Sequence, residues 1–143
     1  MKVVFIIDPI HRLDPGHDTS VAMMEAAQRR GHEVWVTAAS DLSVVGGQAL
    51  ALMHAVSLTP VELVDGLWAA ATPWFELGEA VQRPLGDMDA VFMRTDPPVT
   101  VPYLYATYIL DYVDPARTKV INRPSGLRAA NEKMYALQFT EAI

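Results

Sequence analysis

The first 37 residues constrain the fold most. "KVVFII" (2–7) is a continuous apolar, β-branched run, the pattern of a strand covered on both faces rather than one alternating between core and water. It stops at Asp8-Pro9. After the polar loop "HRLDPGHD", the stretch "TSVAMMEAAQRRG" has the marks of a helix of about three turns. Asp18, Thr19 and Ser20 are possible N-caps, two arginines lie near the C-terminal end, and Gly31 is the stop. "HEVWVTA" gives a second short strand. Strand, helix, strand is the opening of a doubly wound, largely parallel sheet.

The middle departs from that pattern. In "DLSVVGGQALALMHAVSL" the pair Gly46-Gly47 separates two apolar runs and supplies the positive φ angles of a two-residue turn, so a β-hairpin inserted into the α/β pattern is expected. Residues 59–86 show no clean period and are assigned to loop, with at most a short helix near "PWFELGEAV". Regularity returns with a strand in "DAVFM", a helix in "VPYLYATYILDYV", a strand in "TKVIN", and a final helix after "RPSGLRAANEK". The apolar residues of "NEKMYALQFTEAI" exceed one surface stripe. Either this tail docks in the local core or a further domain covers its other face.

Composition excludes several classes. With 143 residues the chain makes one domain with a real core. A formal charge of −6 and a pI near 5.0 speak against nucleic acid as a partner. No apolar stretch is long enough to span a bilayer, and the opening is too soon interrupted to be a signal peptide, so no membrane is expected and the cytoplasm is the expected compartment. Cysteine is absent and the four histidines lack ligand spacing, which leaves no basis for a metal site. There is no G-x-G-x-x-G after the first strand and no P-loop, and the acidic pair of a response-regulator receiver is missing.

Ligands of open α/β sheets sit beyond the carboxyl ends of the strands. The strand exits at Asp8, at Arg94 and Asp96, and at Asn122 to Ser125 should therefore share one rim. That convergence suggests that Arg94 faces an anionic small molecule; the competing reading is a salt bridge from Arg94 to Asp96 or Asp8 that pins the loop. A second place to look is Asn131-Glu132-Lys133. With Asn131 as N-cap, Lys133 would sit in a first helical turn, where free N–H groups plus an ammonium make a phosphate site. A solvated lysine paired with a carboxylate is the alternative.

Taken together, "IIDPI", "DTSVAMMEAAQRRGHEV", "DLSVVGGQA", "VFMRTDPPVTVPYLYATYIL" and "VINRPSGLRAANEKMYA" resemble the N-terminal part of the bacterial glutathione synthetases, collinearly over nearly the whole chain. The resemblance implies an α/β, Rossmann-like pre-ATP-grasp domain, mostly parallel with helices on both faces, over residues 1–130. Residues 131–143 would form the first helix leading toward an ATP-grasp domain in a protein of about twice this length. It also implies ATP and Mg²⁺ as cofactors, bound mainly outside this segment, and γ-glutamylcysteine and glycine as substrates. Lys133 would contact the nucleotide, and Asp18, Ser20, Arg94 and Asp96 would line the peptide-substrate side. Thr95 stands where relatives commonly carry lysine. A homo-oligomer is the expected state. The rival readings are a stand-alone module binding a small anion in the same crevice, and an assembly domain acting through the Gly46-Gly47 hairpin.

Overall fold

A computed structural model of the chain describes residues 1–130, 133–139 and 141. The opening is β1 (Lys2–Ile6), α1 (Thr19–Arg29) and β2 (Glu33–Thr37), with β1 and β2 parallel in the register Lys2↔Glu33 to Ile6↔Thr37. The Asp18 carboxylate caps α1, its Oδ1 accepting from the backbone N–H of Ser20 at 2.6 Å and of Val21 at 3.3 Å. Of the three possible caps it is therefore Asp18 that satisfies the orphan donors of the first turn. Gly31 comes just after the helix at φ 74°, a conformation in which glycine escapes the Cβ penalty.

β3 (Leu42–Val45) and β4 (Gln48–Leu58) form the expected hairpin, with Gly46 and Gly47 at φ 57° and 77° in the turn. The hairpin is not a separate insert. β4 also pairs antiparallel with β2, and its other edge takes up β7 (Phe75–Pro84). The expectation of loop or short helix over 59–86 is thus corrected: the segment holds a small hairpin, β5 (Glu62–Val64) with β6 (Leu67–Ala69), and then the long strand β7. The physical reason is tertiary. Glu76, Gly78 and Glu79 spoil any strand period, but from Phe75 to Pro84 the backbone is held by pairing to β4. The turn of the small hairpin is Asp65-Gly66, both at positive φ.

The parallel half of the sheet continues through β8 (Ala90–Met93), α2 (Val101–Leu110) and β9 (Lys119–Ile121), giving the order β3-β4-β2-β1-β8-β9 with β7 added on β4. Thr100 caps α2, with Pro102 in the first turn, where a missing N–H costs nothing. Alternate residues of β1, with Ile7 just after it, feed two cores. Val3, Phe5 and Ile7 pack with Val21 and Met24 of α1, while Val4 and Ile6 pack with Met53, Leu85, Val91 and Leu110 on the α2 side. Helices thus lie on both faces, and α1 is clamped to the end of β4 by Gln28, whose side chain donates to Leu58 O at 2.7 Å and accepts from Leu58 N at 2.8 Å.

The chain's last part differs from expectation. An α-helix, α3 (Pro124–Ala129), begins with Pro124 inside "RPSGLRAANEK" and packs on α2, where Arg128 bonds Thr107 and Asp111. Residues Lys133–Gln138 form a six-residue 3₁₀ helix rather than an α-helix. Lys133 therefore loses the dipole basis for a phosphate site, because so short a 3₁₀ run does not build the terminal charge of an α-helix. The expected cap, Asn131, lies outside the described residues.

Candidate functional site at the carboxyl rim

β1, β8 and β9 are adjacent and parallel, so their exits at Asp8, Arg94 and Asn122 do lie along one rim of the sheet. Two of these exits are tied together. The backbone N–H of Arg94 donates to Ile6 O at 2.8 Å, and that of Asp96 donates to Asp8 Oδ2 at 3.1 Å. Asp8 therefore spends one carboxylate oxygen on fixing the loop "RTDPP", where successive prolines further restrict the backbone.

Arg94 reaches across to the start of α1. Its Nη2 donates to Thr19 Oγ1 at 2.8 Å and its Nε to Ser20 Oγ at 3.3 Å. Among the described residues no carboxylate stands within ion-pair distance of it, so neither form of the competing salt bridge, to Asp96 or to Asp8, is present. The two hydroxyls orient the guanidinium without neutralising it. An oriented, half-buried cation beside the amino end of an eleven-residue helix is an arrangement that favours an anion.

The other rim residues divide by what they touch. Ser20 is buried and joins Arg94 directly, whereas Asp18 commits Oδ1 to the helix cap. The Asp96 side chain is exposed, and it is the backbone of that residue that is anchored. Of Lys133 only the backbone is described, at the start of the 3₁₀ run. Thr19 is not one of the ligands expected from sequence; its place among the possible N-caps is the signal that could have pointed to it. Thr95, the residue after Arg94, turns its hydroxyl into the interior, where it has no hydrogen-bond partner among the described residues. Farther along the same edge, burial raises the Tyr103 phenol above its usual pKa, so it remains a neutral hydroxyl.

Fold and rim define the class: a Rossmann-like α/β domain with an oriented arginine at the carboxyl edge of its parallel strands. The family described as prokaryotic glutathione synthetase, N-terminal domain, matches residues 1–128. Glutathione synthetase of Nostoc sp. is 66% identical over 143 residues, covering all of this chain and 44% of the relative. Those of Thermosynechococcus vestitus and Synechococcus elongatus are 61% and 58% identical over the same length, covering 45% and 44% of the relatives. The chain belongs to the prokaryotic glutathione synthetase family and corresponds to its N-terminal domain. It spans less than half the length of these curated relatives.

Proposed function

We propose that this chain is the substrate-side part of an ATP-dependent ligase that joins γ-glutamylcysteine to glycine in the cytoplasm. In that reaction the terminal phosphoryl group of ATP passes to the cysteinyl carboxylate, the glycine amine attacks the acyl phosphate, and inorganic phosphate leaves as the amide forms. The observation that carries the reading is Arg94, whose guanidinium is aligned by Thr19 and Ser20 and has no carboxylate partner among the described residues. It supplies a planar, charged fork for a carboxylate of the peptide substrate. Ser20 positions that fork, Asp18 holds the helix end on which Ser20 stands, and Asp96 stands exposed in the loop that Arg94 opens.

Among the described residues no three His, Asp or Glu side chains are placed to share a cation. ATP with its Mg²⁺ is assigned to an ATP-grasp part beyond residues 1–130. The test is ATP- and Mg²⁺-dependent glutathione formation, which the full-length protein should show and a purified 1–143 segment should lack. Phosphoryl transfer needs the triphosphate, metal and acceptor held together. Glutathione formed by the segment alone, or none formed by the full-length protein, contradicts the reading.

Lys133, in the junction between the two parts, is assigned to the nucleotide. Lys133→Ala in the full-length enzyme should raise the KM for ATP by roughly tenfold or more, with little effect on that for glycine, as expected for loss of a charge-assisted contact of about 1.5–3 kcal/mol. An unchanged ATP dependence would make it a solvated surface lysine.

A further inference from the structure

The two faces of the sheet are unequally covered. From β1 to β2 the chain steps one way along the sheet, and from β8 to β9 it steps the other way. Right-handed crossovers therefore place α1 and α2 on opposite faces. α1 lies over β1 and β2, and among the described residues no element lies on its face over β8 and β9.

The space left there is a trough of about 430 Å³ between α1 with its C-terminal cap, through Met23, Ala26 and Arg30, and the strands, through Phe5, Phe92 and Ile121. Phe92 stacks on Phe5 with ring centroids 4.7 Å apart and planes within 8°, yet it is only half-buried, and Ile121 is 41% exposed. Parallel strands are ordinarily covered on both faces. An aromatic ring and a β-branched side chain open to water on such strands mark an unfilled position in the layer beside α1.

The chemistry of the occupant can be read from the walls. The floor is apolar, and the end of the trough beside the strand starts carries Arg30 and Lys119. Asp89, at the same end, is engaged by the backbone N–H of Lys2 at 2.6 Å. A helix with one apolar stripe and acidic residues toward that end fits. The relatives are more than twice as long as this chain, so the same polypeptide can supply it.

We propose that an amphipathic helix from the part of the protein beyond residue 143 packs in this trough beside α1, over β8 and β9. The N-terminal domain is thus completed by its own downstream chain. This rests on the reading of the chain as the N-terminal part of a longer ligase. The experiment places a photoreactive benzoylphenylalanine at Ile121, and separately at Ala26, in the full-length protein, with irradiation and then peptide mapping. Expected is a cross-link within one polypeptide to a peptide beyond residue 143, from both positions. Cross-links joining two copies, cross-links confined to residues 1–143, or an unreacted label at both positions would overturn it. The reading beneath it fails separately, if the mature protein isolated from its source has the 15.7 kDa mass of this chain.

Discussion

Under the proposed function, replacing Arg94 by lysine should harm γ-glutamylcysteine binding almost as much as replacing it by alanine. The guanidinium is gripped at two points, Nη2 by Thr19 and Nε by Ser20, and a lysine ammonium cannot occupy both while presenting further in-plane N–H donors to a carboxylate. Loss of a charge-assisted, two-pronged contact is worth about 1.5–3 kcal/mol, or roughly a 10- to 150-fold fall in kcat/KM for the dipeptide. The melting temperature should move by only a few degrees, because both acceptors given up are neutral hydroxyls, one of them, Thr19, at the exposed surface where water can satisfy it. Steady-state kinetics and thermal unfolding of both variants in the full-length enzyme decide the matter. A normal KM together with a steep loss of melting temperature would make Arg94 a clasp between β8 and α1 and nothing more.

Phe5→Ala should be the most damaging single truncation in the domain. Phe5 is 1% exposed, sits mid-strand opposite Val36 on one side and Phe92 on the other, and stacks on the ring of Phe92. Its removal takes away the largest side chain on the α1 face of the central strand and leaves a cavity that β1, paired on both edges, cannot collapse to fill. The expected cost is about 3–5 kcal/mol, comparable to the whole stability of a marginal domain. Urea unfolding should show a large fall in midpoint or no folded baseline at all. A loss below about 1 kcal/mol would mean that the two rings do not hold the face together.

The fold was legible where local signals and burial agreed. Val3 to Ile7, the capped helix after Asp18, and Val91 to Met93 are buried or periodic enough that their residue types report their surroundings. Gly46-Gly47 announces its turn because positive φ selects glycine. Residues 59–86 were not legible, for two reasons. β7 is an edge strand with much of its side-chain surface in water, so its sequence carries little alternation and its conformation is dictated by β4. The small hairpin does carry a local signal, Asp-Gly between apolar residues in "VDGL", but the tryptophans and prolines around it mask the strands on either side. At the rim, adjacency of the strand exits could be inferred from topology. That Arg94 would choose Thr19 and Ser20 over Asp8 and Asp96 could not, since the choice depends on where α1 begins relative to β8, and no short-range pattern encodes that distance.

The chain leaves the sheet after Leu58 and rejoins it at Phe75, and the two ends of that excursion are fastened to each other, Thr59 N–H to Trp74 O at 2.9 Å. Everything between is a side branch whose base is already closed. Its length is therefore invisible to the β4–β7 ladder, and closing a longer branch adds little entropy cost. The branch is nevertheless not idle, for the Cβ of Trp68 lies 3.3 Å from where a side chain on Gly16 would begin, in the loop that leads into α1. Evolution can thus rewrite this branch without touching the sheet, and any change it makes is felt first at the threshold of the helix that orients Arg94.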